Sequence, residues 1–436
     1  MKNEKQEKRS ALTIITVVTM FFLYAMIAFV TNLAAPIGKI WENSFVGSSH
    51  ATLLGMLGNM MNFAAYLFMG IPAGKLLQKI GYKKTAMTAV VVGFLGIGFQ
   101  WLSGVAASFA VYLLGAFICG FAVCMLNTVT NPMLNSIAGG GNKGNQLNMI
   151  GGTLNSLTGS LTPMFVGALI GSSLAGKTIS DVSAVLYIAM AVFFVVFFIL
   201  LFIPIAEPHD ATAKMEYEHS PWSFRHFVLG TVAIFFYVGV EVGVPASVIS
   251  YLSNASYGVG YSYETAGFIA GLYWLLMLAG RLIGSVIGGK VSSKAMVTVT
   301  ASVAIALIAV AIVVGNKVMV WMPSNWSFTM AQLPLAALLL VLVGLCTSVM
   351  WTSIFNMAVE GLGKYTEAAS GIFMMMVVGG GLVPLVQSAV ADACNPVMEN
   401  GTGFLISYIV MIIGVAYILF YALIGSKNVN KDIKVD

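Results

Sequence analysis

Residues 74–84 read Gly-Lys-Leu-Leu-Gln-Lys-Ile-Gly-Tyr-Lys-Lys, between the apolar runs 51–74 and 84–105. Each run has about the 20 residues that an α-helix needs to cross the ~30 Å hydrocarbon core of a bilayer. The connection is short, glycine-punctuated and rich in lysine, so it turns one membrane helix directly into the next and holds its cations on one side. The same alternation of apolar run and short connection continues along the chain.

The 436 residues are 59% hydrophobic and 8% charged, with a mean hydropathy of +0.92. Soluble domains carry about 25% charged residues, so a water-soluble globule is excluded. Apolar runs near 11–38, 51–74, 84–105, 107–137, 146–173, 181–205, 224–253, 262–289, 295–314, 332–358, 367–392 and 403–425 predict twelve transmembrane helices in an all-α membrane protein. The first ten residues, Met-Lys-Asn-Glu-Lys-Gln-Glu-Lys-Arg-Ser, lead into a span too long for a signal-peptide core, and read as a retained tail.

Seventeen of the 21 Lys and Arg fall in the tails and the connections on the tail side. Lys39, Lys177 and Lys317 fall on the other side, and Arg281 lies inside a span. This bias predicts both termini in the cytoplasm and assigns the net charge of +5 to topology, with no nucleic-acid partner. The four cysteines show neither zinc nor disulfide spacing, and no metal or cofactor is expected. A polar stretch from Glu207 to Trp222 separates six spans from six. It divides the chain into an N-terminal bundle (1–206), a cytoplasmic linker (207–222) and a C-terminal bundle (223–436), the plan of carriers that bind substrate between their halves.

The 74–84 connection resembles the loop signature of the major facilitator superfamily. Gly74, Lys79 and Gly81 match it, and Gln78 stands where the family has Asp, so the gate contact of that Asp is not carried over. Further resemblances point to the fucose permease and glucose/galactose transporter family, the fucose-galactose-glucose:cation symporters. They include Phe21-Phe22-Leu23, Asn131-Pro132, Leu147-Asn148 and Asn155. The run Tyr237 to Val242 resembles the glucose/galactose branch closely, as do Tyr273-Trp274 and Gly280-Arg281. Ser353 to Gly363 and Ala369 to Pro384 continue the match. The resemblance implies two pseudo-symmetric six-helix bundles and sugar transport by alternating access. In the fucose branch an Asp in span one and a Glu in span four couple a proton to sugar binding, and here those positions hold Asn32 and Asn127. An amide does not cycle a proton near neutral pH. A family glutamine in span five is replaced by Gly152, which removes a polar group and opens room.

Of the sixteen carboxylates none lies between Glu42 and Asp181, and only Glu241 is deep in an apolar segment. A charged, unpaired carboxylate at mid-membrane costs roughly 2.5 to 3.5 kcal/mol on insertion scales. Glu241 is therefore the candidate for coupling, as a ligand for a sugar hydroxyl, a proton or a sodium ion; the alternative is a structural carboxyl bonded to a neighbouring helix. Asn59 with Asn62, Asn127 with Asn131, and Asn148 with Asn155 each share a helix face. Amides donate and accept, which suits vicinal hydroxyls, and they also bind helices together in lipid for about 0.6 to 2 kcal/mol. Tyr237, Tyr273, Trp274 and Trp351 offer ring surfaces for a sugar, with Asn356 farther along the helix of Trp351. The candidate substrate site is thus Asn32, Asn59, Asn127, Asn131, Asn155, Tyr237, Glu241, Tyr273, Trp274, Trp351 and Asn356. Gly74, Gln78, Lys79, Gly81 and Arg281 are candidates for gating.

These features predict a monomeric carrier of a hexose, deoxyhexose or amino sugar in the inner membrane of a bacterium, driven by sodium or protons through Glu241. An uncoupled facilitator and a non-transporting sugar sensor are the alternatives. A membrane enzyme is disfavoured, since His50, His209, His219 and His226 lie outside the span centres and no catalytic constellation appears.

Overall fold

The computed structural model describes residues 2–45, 47–137, 141–170, 177–205, 218–287, 291–362, 365–398 and 400–435. In chain order it comprises α1 (Lys2–Ser44), α2 (Ala51–Val105), α3 (Phe109–Ile137), α4 (Gly141–Ile170), α5 (Ser183–Phe202), α6 (Arg225–Ser253), α7 (Tyr263–Ile287) and α8 (Ser293–Val314). Strands β1 (Met319–Pro323) and β2 (Met330–Pro334) follow. The chain ends with α9 (Leu335–Thr347), α10 (Met350–Val359), α11 (Thr366–Met375), α12 (Gly379–Cys394), α13 (Thr402–Ser407) and α14 (Ile409–Phe420). Most of the expected linker lies outside the described residues.

Eleven segments among the described residues are long and apolar enough to cross a membrane. The remaining expected span is α4, whose glycines, asparagines and hydroxyl residues lower its hydropathy; it packs against α1 and α7, where polar and small residues suit helix contacts. Together these elements form twelve spans in two six-helix halves. α1 is longer than its apolar run because the Lys- and Glu-rich tail is a good helix former and no glycine or proline interrupts it before Pro36.

Three expected helices are broken. α9 and α10 separate where Thr347 and Ser348 bond back to the carbonyls of Val343, Gly344 and Leu345, a competition that loosens a helix. A 3₁₀ turn at Met376–Val378 precedes the Gly379-Gly380-Gly381 start of α12, and α13 gives way to α14 at Tyr408. Residues 319–334, the last three of which were expected inside the span 332–358, form an antiparallel hairpin pairing Met319 with Pro334 and Pro323 with Met330. It presents exposed Trp321 and Phe328.

The loop that decided the fold is nearly absent as a loop. Helical geometry runs from Ala51 to Val105 except at Gly81, where φ is 80° and ψ 174°. That conformation is open essentially only to glycine. Two residues on, Lys83 Nζ donates to the carbonyls of Leu201 and Ile203 at 3.1 and 2.9 Å, capping the C-terminus of α5 with a cation.

Gly81→Ala is expected to strain this joint by about 1–3 kcal/mol. A lower melting temperature of the detergent-solubilised protein, with Gly74→Ala as an uncrowded comparison, checks it.

Candidate functional site

The site is built around α6. Tyr237 and Glu241 are four residues apart and so share a face. The Tyr237 hydroxyl donates to Glu241 Oε1 at 2.8 Å. Arg281 of α7 places Nη2 3.5 Å from the same oxygen, and its Nη1 donates to the carbonyl of Gly152 on α4, in the opposite half. A Cβ at residue 152 would lie 3.1 Å from Nη1. The room expected from Gly152 is therefore filled by the guanidinium, which approaches the α4 backbone because no side chain stands there.

Aromatic rings pack beside Tyr237 and along α7. Trp351 lies 6.0 Å from the Tyr237 ring and meets Phe373 edge-on at 5.8 Å. Tyr273 is fully buried, hydrogen-bonded to Thr347 Oγ1 at 2.9 Å and edge-on to Trp274 at 5.5 Å. A Cβ at Gly159 would lie 3.2 Å from the Trp274 ring and 3.3 Å from Asn32 Nδ2, so α1 and α7 face one another across α4. Asn32 Nδ2 also bonds back to Ala28 O at 2.8 Å.

The other amides tie the first half together. Tyr24 donates to Asn131 Oδ1 at 2.5 Å, Asn131 Nδ2 donates to Asn127 O at 2.9 Å, and Asn127 Nδ2 donates to the Tyr66 hydroxyl at 2.8 Å. Asn155 Nδ2 reaches Tyr24 O at 3.3 Å. Tyr24 and Tyr66 were not among the sequence candidates; they lie 107 and 61 residues from the amides they meet, so sequence spacing gives no signal of the pairing. Asn59 has a different task. Pro384 has no N–H for the carbonyl four residues back, and Asn59 Nδ2 donates to that carbonyl, Gly380 O, at 2.9 Å. Asn62, one turn on, is buried with both amide atoms unpaired.

Asn356 and Lys79 are exposed. Gly74 has open space beside it. The Gln78 side chain lies outside the described ones.

At the end opposite the chain termini the halves are joined by residues that were not among the sequence candidates. Lys39 Nζ meets Glu42 Oε1 at 2.7 Å, both buried. From α6, Ser250 Oγ accepts from Lys39 at 3.3 Å and Asn254 Nδ2 donates to Glu42 at 3.4 Å. Asp392 of α12 accepts from the backbone N–H groups of Thr52 and Leu53 at 3.3 and 2.8 Å. The N-cap of α2, His50, makes no side-chain cap hydrogen bond. Asp392 thus caps α2 from the other half.

The Major Facilitator Superfamily profile matches residues 17–384. The chain belongs to the major facilitator superfamily. It is 30% identical over 382 residues to a glucose/galactose transporter of Brucella abortus biovar 1 (strain 9-941), covering 86% of this chain and 85% of that protein. It is 23% identical over 363 residues to the L-fucose-proton symporter of Escherichia coli (strain K12), covering 76% and 77%. The crystal structure of FucP in the outward conformation superposes with a TM-score of 0.67 at 20% identity, covering 95% of this chain and all of that one. The match confirms the superfamily fold and its two six-helix halves around a shared interface, which is where Arg281 lies.

The Arg281 and Glu241 side chains are 17% and 14% exposed, so removing one partner leaves a largely desolvated charge without its counter-ion. Arg281→Gln is therefore expected to cut uptake at least tenfold while Gly152→Ala has a small effect and Gly152→Val a large one; uptake into intact cells, normalised to membrane expression, checks the series.

Proposed function

We propose that this chain transports a monosaccharide, either a hexose, a deoxyhexose or an amino sugar, across the inner membrane of a bacterium by alternating access. It is a transporter and not an enzyme. The observation that carries the reading is the Tyr237–Glu241–Arg281 cluster, wired to Gly152 of the opposite half, in a chain so similar to a glucose/galactose transporter. Tyr237, Trp274 and Trp351 supply aromatic faces for a sugar ring, and Asn32, Asn127, Asn131 and Asn155 supply amides.

The moving bodies are residues 1–206 and 223–436, with 207–222 as linker, both termini cytoplasmic and the protein monomeric. Arg281 gives the coupling its logic. It holds Glu241 within one half and Gly152 across the interface, so a proton or sodium ion on Glu241 weakens its hold on Arg281 and alters the tie between halves. The L-fucose-proton symporter among the relatives supports cation coupling. The fucose-type route through Asn32 and Asn127 is closed by their amides, which leaves Glu241 as the coupling carboxylate.

The test is uptake of labelled glucose, galactose, fucose and N-acetylglucosamine into proteoliposomes under imposed proton or sodium gradients. Accumulation above equilibrium with one cation, lost in Glu241→Gln while exchange persists, is expected. Exchange with no accumulation under either gradient overturns coupling, and no uptake of any sugar overturns the substrate class.

The lock opposite the termini makes a second prediction. Losing a helix cap costs about 0.5–2 kcal/mol, so Asp392→Ala is expected to raise the rate at which a cysteine at buried Ala246 reacts with an impermeant maleimide by roughly fivefold. The measurement is made with Cys394→Ser as background.

A further inference from the structure

The hairpin of β1 and β2 lies at the end opposite the chain termini, on the closed side, beside the start of α7. The Tyr261 hydroxyl, just before α7, donates to the Gln332 carbonyl at 2.7 Å, and Tyr263, the first residue of α7, donates to Pro36 O at 3.3 Å, one turn before Lys39. Both ends of the hairpin join membrane-crossing helices: α8 ends at Val314 shortly before it, and β2 passes directly into α9 at Leu335. The tip does not rise away from this surface. The Trp326 and Phe328 rings lie 6.1 and 6.5 Å from the ring of Phe268, a residue about 7.5 Å along α7 from Tyr263 at the usual helical rise. The tip therefore descends past the end of a membrane span, toward the bilayer.

The side chains presented there are large and apolar. Residues alternate between the faces of a strand and directly paired residues share a face, so Met319, Trp321 and Met330 lie together on the outer face. Trp321 is 64% exposed and Phe328, at the tip, 70%, with Met319 and Met330 half-exposed; the inner face buries Met322 and Leu333. Phe328 has a φ of 53°, a region that a bulky side chain seldom enters. Its neighbours fix it there. Asn325 Oδ1 accepts from the N–H groups of Ser327 and Thr329 at 3.1 and 3.2 Å, and Ser324 donates its N–H and hydroxyl to Thr329 O at 2.9 and 2.8 Å. These polar groups satisfy one another, and the turn they make holds an aromatic ring outward.

Charge, size and depth say what covers this face. No Asp, Glu, Lys or Arg occurs from Val318 to Val359, so the hairpin offers no charge to a charged partner. Residues 319–334 are fewer than the roughly 20–30 a side that a stable protein interface uses, and only one of their faces is open. Tryptophan and other aromatic rings favour the membrane–water interface, and apolar faces that lie in it are buried about 5–10 Å deep, which is the depth reached at Phe268. The unpaired backbone groups along the hairpin edges keep it in this hydrated boundary and out of the hydrocarbon core.

We propose that the hairpin docks on the lipid bilayer itself, with Met319, Trp321, Phe328 and Met330 entering the boundary between headgroups and acyl chains in the leaflet opposite the chain termini. Through Phe268 and Tyr261 this contact fixes the start of α7 to that leaflet, and α7 carries Trp274 and Arg281. The C-terminal half thereby gains a hold on the lipid against which the N-terminal half moves. The inference stands whichever substrate is carried.

Fluorescence quenching of the purified full-length protein in nanodiscs tests it, comparing phosphatidylcholine brominated on its upper acyl carbons with the unbrominated lipid. The emission of Trp321 is the difference between the wild type and Trp321→Phe. Brominated lipid is expected to lower that difference roughly twofold or more, and iodide in the water to lower it by less. Quenching by iodide without quenching by bromine puts the face in water, and quenching by neither puts it under a second copy or another protein; either result overturns the proposal. In Met319→Asp/Phe328→Asp, which keeps every tryptophan, the bromine effect on Trp321 is expected to fall roughly twofold, and an unchanged effect also overturns it. A nitroxide on Phe328→Cys gives a second reading, in a Cys394→Ser background where the remaining cysteines are buried. It is expected to be relaxed more by oxygen than by a water-soluble nickel chelate, opposite to one on Ser256→Cys, an exposed position in the loop before α7. The same preference at both positions overturns the docking.

Discussion

A guanidinium within a membrane span needs partners to offset the cost of its charge, and the groups bonded to Arg281 supply them from both halves. Its own half supplies Glu241, fixed in turn by the Tyr237 hydroxyl. The opposite half supplies only a backbone carbonyl, at the one place in α4 where Gly152 lets the cation reach it. The halves are therefore chemically unequal at their interface. The C-terminal half holds the ion pair and the aromatic rings beside Tyr237, and the N-terminal half, free of acids between Glu42 and Asp181, answers with amides and tyrosine hydroxyls.

The closed side follows the same rule with different chemistry. Each tie there satisfies a group that the helices leave orphaned by their own geometry. Asn59 takes the carbonyl released by Pro384, Asp392 takes the first free N–H groups of α2, and Ser250 and Asn254 complete the Lys39–Glu42 pair. All of these groups can be solvated by water when the halves part. Polar ties of this kind hold a closed state without making it permanent, whereas an apolar seal of the same extent would resist opening throughout.

Much of this was legible in the chain. The spans announced themselves as apolar runs, the 74–84 stretch gave the family signature, and Glu241 stood out as the one deep carboxylate. Asparagine spacing put the amides on shared faces. Their partners stayed hidden because Tyr24 and Tyr66 read as apolar residues in apolar helices, and only packing reveals which phenol meets which amide. Lys39, Glu42 and Asp392 were not among the candidates, since sequence shows where a charge lies along the chain and not which helix from the other half comes to meet it. The breaks at Thr347–Ser348 and Met376–Val378 depend on local competition for carbonyls, which hydropathy does not register. Gly152 was seen as empty space because the arginine that fills it is 129 residues away.

The joint at Gly81 has a mechanical side. One residue of non-helical backbone separates two spans, so the first cannot turn or slide by more than the reach of a single peptide without carrying the second along. Lys83 ties that second span to the end of α5. An inner helix that lines the contact between halves is thereby linked, with almost no slack, to two helices behind it. Displacement at the interface is shared among three helices at once, which is how a bundle can rock as a solid piece while its connections remain only a few residues long.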